Sequence, residues 1–336
     1  MAKACAICLV ATLASCVPLP PLSFLEDADV VPPVVTGLHL RSPVELEVRF
    51  DEPVRLVSGP LHAETVSISG VSAEEDHLLF AFDPAPSPSK QHYVEAQVAD
   101  AAGNHLRFVA RFYGLNAMIP AMLINEFITK SSANHGEFVE IRILTSGNLA
   151  GAALHEGTPD DWDQRFVFPS VDVEAGDYVV VHFRPQGIPE EINETTDRSA
   201  SGGRNASPEA WDFWVEGGTG LSSNNGVLTL TENPLGGYID AVLYSNRTSD
   251  SDERYRGFGS RKVMERADDI VAAGAWVAAG GAVAPEDAID SSLSTATRSM
   301  SRASDGRDTN SAADWHITPT RGSTPGRENT DEVHAP

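Results

Sequence analysis

The chain is 336 residues long, 41% apolar, and carries 24 basic against 48 acidic side chains, a formal charge of −24. That length suits two domains with a core each. Such a field repels phosphate backbones and anionic head groups, which disfavours nucleic acid as a partner and fits a solvated, exported protein. The 27 glycines and 22 prolines punctuate short apolar stretches, the mark of an all-β chain. All three cysteines (Cys5, Cys8 and Cys16) fall in the first 16 residues, so no disulfide staples the body. Nothing downstream has the ~18 consecutive apolar residues of a membrane-spanning helix.

Lys3 followed by an apolar run over residues 4–14 has the pattern of a secretory signal peptide, expected over 1–15. The run ends in Leu13-Ala-Ser-Cys16, which resembles the lipobox of bacterial lipoproteins. The resemblance implies cleavage before Cys16 and lipidation of its thiol, acyl chains then holding the protein at a bilayer. Cys5 and Cys8 have metal-pair spacing but lie in the segment to be removed. Proline and acidic residues over 16–31 read as a stiff, hydrated tether. Val17 in place of an acidic residue after Cys16 points to outer-membrane sorting, either periplasmic or surface-facing.

The first domain is expected over 32–116. Val44, Leu46, Val48 and Phe50 alternate on one face of a half-buried strand, and similar runs recur near 66–68, 78–82, 94–98 and 106–112. Phe50-Asp-Glu-Pro-Val54 and Val98-Ala-Asp-Ala-Ala-Gly-Asn104 resemble motifs of bacterial Ig-like domains. Asp100 in the second motif reads as a turn aspartate hydrogen-bonding the following backbone.

The second domain is expected over 119–329, with a disordered tail over 330–336. Leu123-Ile-Asn-Glu-Phe127, Glu137-Phe-Val-Glu-Ile141, Ala313-Asp-Trp315 and Thr324-Pro-Gly-Arg-Glu-Asn329 occur in an order that resembles the lamin-tail domain, an Ig-like sandwich. Ile124, Val139, Ile141, Val179, Val181, Leu228, Leu230 and Val242 are expected to form the core. Asn125, Glu126, Glu137, Glu140 and Asp240 are expected to satisfy strand ends or face water, Trp315 to cap the core, and Pro325-Gly326 to end the last strand. Against the compact module the chain has excess length at 151–164, 184–224 and 246–297. The last of these contains a helix expected over 261–273, since Val263, Met264, Ala267, Ile270 and Val271 share one helical face and Gly274 stops it.

No serine-nucleophile elbow, zinc helix or phosphate-cradling glycine loop is present, and thiol chemistry is unavailable in the body. Asp305, Asp308, Asn310 and Asp314 offer oxygen ligands, but their spacing does not complete a calcium loop, because Ala312 and Ala313 stand where a ligand and a glycine belong. Arg254, Arg256, Arg261 and Lys262 form a basic cluster with Arg266, but interleaved acids favour a salt-bridged face. Trp211 and Trp214, in an insertion, either pack back onto the sandwich or anchor a partner. The expected whole is two immunoglobulin-like β-sandwich domains on a lipid anchor, non-enzymatic and without cofactor, binding a protein or an envelope polymer. An accessory role to an extracellular nuclease or phosphatase, or an adhesin, are the alternatives.

Overall fold

A computed structural model describes residues 29–57 and 65–335. The signal peptide, Cys16 and most of the tether lie outside the described residues.

The first sandwich is built from β1 (Val35–Ser42), β2 (Glu45–Phe50), β3 (Arg55–Leu56), β4 (Ile68–Glu74), β5 (His77–Phe82), β6 (Gln91–Ala99) and β7 (His105–Tyr113). One sheet runs β1-β2-β5-β4 and the other β3-β6-β7. This is the four-plus-three strand order of an immunoglobulin constant-type domain. Alternation drives it: in β5 every second residue (Leu78, Phe80, Phe82) is buried, and Val94, Ala96 and Val98 of β6 face them. Val44 departs from the expected inward face. It sits in the turn before β2 and is exposed, because the chain reverses there. Residues 29–31 do not behave as free tether, since the Asn104 amide donates to the carbonyls of Asp29 and Val31.

The second sandwich contains β8 (Met122–Ile128), β9 (Phe138–Ile143), β10 (Gly147–Asn148), β11 (Ala153–Gly157), β12 (Trp162–Val167), β13 (Asp172–Val173), β14 (Tyr178–His182), β15 (Trp211–Trp214), β16 (Asn225–Asn233), β17 (Gly236–Ser245), β18 (Ile289–Asp290), β19 (Met300–Arg302) and β20 (Trp315–Ile317). A six-stranded sheet, β15-β14-β9-β8-β19-β20, packs on a five-stranded one, β12-β11-β16-β17-β18. Strands β10 and β13 form a separate small pair. All eight expected core residues are fully buried between the sheets. Trp315 meets Phe127 edge-on with centroids 5.4 Å apart, the capping role expected of it.

The insertions are structural. Residues 151–164 supply β11 and the start of β12. Residues 184–224 supply β15, which pairs in parallel with β14 and sends Phe213 into the core. Residues 246–297 supply Phe258, Trp276 and Ile289 to that core, together with helix α1 (Arg261–Ala272). Ser260 Oγ caps α1 by accepting from Val263 N at 3.2 Å, and Gly274, at φ +72°, ends it. Though in excess of the compact module, the three stretches are built into the sandwich, because too much of the apolar core comes from them.

The last strand ends at Ile317, well before Pro325-Gly326. From there the chain forms a strap laid back over the six-stranded sheet, and the strap continues beyond 329. Asp331 accepts from Ser304 N at 2.8 Å, and His334 N donates to the Ile317 carbonyl, also at 2.8 Å. The tail expected to be disordered is thus docked over its described part.

Candidate functional site

A register slip on β8 creates the polar layer beneath the strap. Ile124 pairs with Ile141 and Glu126 with Glu140, so Asn125 is the extra residue of a bulge. The bulge keeps both Ile124 and Phe127 in the core while turning Glu126 to the outer face. Glu140 lies opposite it, and Asp212 is reached through Val180 in the same row. Glu126, Glu140 and Asp212 are all buried, as are Asn125, Glu137 and Asp240. Of the two expectations for Asn125, Glu126, Glu137, Glu140 and Asp240, facing water is overturned, while the four carboxylates do satisfy backbone groups, Ile124 N on Asp240 and Leu221 N on Glu137 among them.

Every donor to the central pair is neutral. Glu126 accepts from Ser299 Oγ and from Thr324 N at 2.8 Å. Glu140 accepts from Asn125 Nδ2 at 2.7 Å and from Gly326 N at 2.6 Å. Asn329 Nδ2 donates to the Arg302 carbonyl at 2.8 Å and Asn125 Nδ2 to Asn329 Oδ1 at 2.9 Å, pinning the strap's end. Burial pushes the Glu126 carboxyl up to about 7, and burial together with the nearby Glu126 pushes Glu140 well above its ordinary range. Beside them His182 Nε2 meets Asp212 Oδ1 at 2.6 Å and stacks on Trp214 at 3.9 Å. Sealed from solvent, this layer can organise the strap but offers no reacting atom to a substrate.

A second charged knot ties the sheets together. Arg302 is 1% exposed and donates to Asp240 and Asp308, each at 3.0 Å, with its guanidinium 4.7 Å above the Trp315 ring. Asp314 approaches the same arginine at 3.7 Å. Burial outweighs Arg302 and raises Asp240 to about 7. Asp305 caps Arg307 N at 2.9 Å, and Asn310 takes a positive φ in the turn. The four calcium candidates have other roles here: Asp308 and Asp314 answer an arginine, Asp305 and Asn310 shape the turn.

The other candidates resolve similarly. Trp214 is buried, its ring against His182 and its Nε1 donating to Ser201 Oγ at 2.8 Å. It cannot anchor a partner while folded. Trp211 is half-buried, with Arg198 over its face at 5.7 Å. Arg256 pairs with Asp268 and Arg261 with Glu265, each at 2.7 Å, while Lys262 pairs with Asp163 and Arg254 lies over Tyr255. Arg256, Arg261 and Lys262 are thus paired with carboxylates of α1 or of β12. Asp100 is the turn residue expected, accepting from Gly103 N and Asn104 N at 2.6 and 2.8 Å. Carboxylate oxygens of Asp29 and Glu52 lie within 4.8 Å of it.

What sequence reasoning did not find is a cleft of roughly 600 Å³ between the two sandwiches. The linker after β7 fixes its shape. Asn116 Nδ2 donates to the Asn148 and Ala150 carbonyls at 2.8 and 2.9 Å, and a side chain at Gly151 would lie 2.6 Å from the Pro88 carbonyl oxygen. One wall combines β1 and β7, which belong to different sheets and are not hydrogen-bonded to one another. The other wall is the β16–β17 turn. Cleft-lining residues are separated in sequence by more than a hundred positions, and only the interdomain docking reveals them.

Residues 120–317, more than half of the chain, match the family model TP_1001_2nd, described as a protein second domain. The chain belongs to the TP_1001 second-domain family. The matched span of this TP_1001 second domain runs from just before β8 to the end of β20, so it coincides with the second sandwich without the strap. An uncharacterized protein of Treponema pallidum (strain Nichols) is 29% identical over 181 residues, 52% of this chain and 45% of that protein. The chain thus matches less than half of its relative's length. A crystal structure of a DUF4876 family protein from Bacteroides thetaiotaomicron is similar at 11% identity with a TM-score of 0.33, covering 84% of this chain and 91% of that one.

Proposed function

We propose that the protein is an exported, lipid-anchored envelope component that works as a binding or scaffolding module, with no catalysis of its own. Cys16 carries the anchor in this reading, the first sandwich stands off the membrane, and the second, an elaborated lamin-tail-like sandwich, completes the binding surface. The observation that carries the reading is the interdomain cleft. It holds roughly 600 Å³ and is formed by two sandwiches fastened to each other through a short linker. The buried carboxylates of Glu126, Glu140 and Asp240 favour the same reading, because they are hydrogen-bonded to the strap or to Arg302.

The test uses the full chain expressed in a bacterium that processes lipoproteins. Mass spectrometry of the mature N-terminus is expected to show acylated Cys16, and protease shaving of intact cells reports which way the protein faces. Purified mature protein is then sedimented with washed cell envelopes. An unmodified N-terminus in the soluble fraction removes the anchor. Metal-dependent phosphodiester or phosphomonoester hydrolysis by the purified protein replaces the binding module with an enzyme.

A further inference from the structure

The strap that covers the six-stranded sheet is attached without apolar anchors. No described residue after Ile317 belongs to an apolar cluster or packs against one. The positions it buries are Thr318, Gly326 and Asn329, and its aliphatic Val333 stands in solvent. Polar contacts hold it, and each contributes little net, because water competes for the same groups. Two of them end on buried acids: Thr324 N and Gly326 N tie the strap to Glu126 and Glu140, carboxyls in cross-strand register. Along one border the strap meets open space, a cleft of roughly 500 Å³ between residues 205–209 and the strap's Pro325 and Arg327. Lying after the last strand, it leaves without withdrawing a residue from either core.

The groups around the pair do not answer a second negative charge. Strand β8 supplies Asn125, β19 supplies Ser299 and Ser301, and the strap supplies Thr324, Gly326 and Asn329, all neutral. Strand β15 adds a third carboxyl, Asp212, engaged by His182 of β14, and Glu194 lies behind it, accepting from Asp212 N. Tyr178 of β14 is half-buried. The cations on neighbouring strands are turned elsewhere: Arg302 to Asp240 and Asp308, Arg142 to the Ser304 carbonyl. His316 of β20 is bonded to the Thr330 carbonyl, and Arg327 and Glu328 of the strap are exposed. Two carboxyls in one water-excluded site do not both ionise without a large cost, so a proton stays while the strap is down. We propose that the strap is a pH-gated latch, docked while Glu126 and Glu140 share at least one proton and released as a unit as the pair becomes fully ionised, with both sandwiches still folded. Docking thus takes up a proton, and it weakens as pH rises from the ordinary carboxyl range through 7. Release uncovers the outer face of β8, β9 and β19 and frees Ser207 and Ala210 from Gly326.

The test is amide hydrogen exchange of the full chain from pH 5 to pH 8, corrected for the intrinsic pH dependence of exchange. The strap amides bonded in the docked state (Thr324, Gly326, Arg327 and His334) should lose protection on the order of 100-fold over this interval, the factor set by a carboxyl raised from 4.5 to about 7. Strands β6 and β7, in a sandwich with its own core, are the reference and should keep theirs. The strap should also exchange well ahead of β8 and β9 at each pH, the sign of local opening. Glu126→Gln keeps an acceptor for Thr324 N and removes one charge, and Glu140→Gln does the same for Gly326 N. Each should reduce the loss to about tenfold or less, and either one suffices if the other fails to fold. Strap protection that does not change with pH overturns the gate. A strap that exchanges no faster than β8 and β9 overturns release as a unit, since pH then acts on the whole second sandwich. Variants that both lose protection as steeply as the wild type place the titration in another group and overturn the assignment to this pair.

Discussion

At the scale of single residues, the paired carboxylates under the strap govern how the protein responds to pH. Glu126 is raised from near 4.5 to about 7 by burial, and Glu140 moves in the same direction. Between those values the folded chain holds a proton that the unfolded chain releases. The stabilisation is complete below about pH 4.5 and is lost as pH rises through 7. A shift of this size corresponds to about 3 kcal/mol for one fully buried group. The melting temperature is expected to fall between pH 5 and pH 8, and Glu126→Gln, which keeps the shape without the charge, is expected to flatten that slope. A melting temperature that rises over this interval for the wild type contradicts the assignment. Arg302 makes the complementary case. Removing it leaves Asp240 in the core with its backbone hydrogen bonds but no counter-charge, so Arg302→Met is expected to cost on the order of 3–5 kcal/mol in chemical denaturation.

At the scale of elements, the strap and the inserted strand β15 are expected to behave as parts of the fold. Truncation after residue 322 removes Thr324 N and Gly326 N from the two buried carboxylates and opens the outer face of the sheet. Limited proteolysis should then cleave faster at 207–210, where Ser207 and Ala210 are buried and lie against Gly326 of the strap. Deleting 184–224 removes β15 and Phe213 and is expected to abolish cooperative unfolding of the second sandwich, visible as a missing transition in calorimetry. A retained transition would show that the second sandwich closes without the segment. Alternation in Leu78 to Phe82 and helical spacing in Val263 to Val271 were legible in the sequence, because local period reports which face is buried. Helix α1 lies within one residue of its expected end for that reason. The burial of Glu126 and Glu140 was not legible, because it depends on a bulge at Asn125 and on a strap almost two hundred residues away. Trp214 was ambiguous on the same ground: an aromatic residue in a polar stretch reads identically whether it packs inward or waits for a partner.

At the scale of the whole molecule, the cleft exists only because the two sandwiches are held at a fixed angle, and that angle rests on backbone contacts too close to admit a side chain. Gly151, at φ +85°, faces Pro88 of the first sandwich, where a Cβ would lie 2.6 Å from its carbonyl oxygen. The two cores share no residue, so strain placed at this contact can be relieved by separating the domains without unfolding either. Gly151→Val combines a branched side chain with a left-handed backbone position, which adds a local cost of about 1–3 kcal/mol. The expected outcome is an unchanged far-ultraviolet dichroism spectrum, a larger radius of gyration in small-angle scattering, and faster amide exchange at 114–119 where Asn116 releases its two carbonyls. The scattering decides the matter. If the radius of gyration of Gly151→Val equals that of the wild type while its melting temperature drops, the strain has been absorbed within the second sandwich, and the domain angle is set elsewhere than at this glycine.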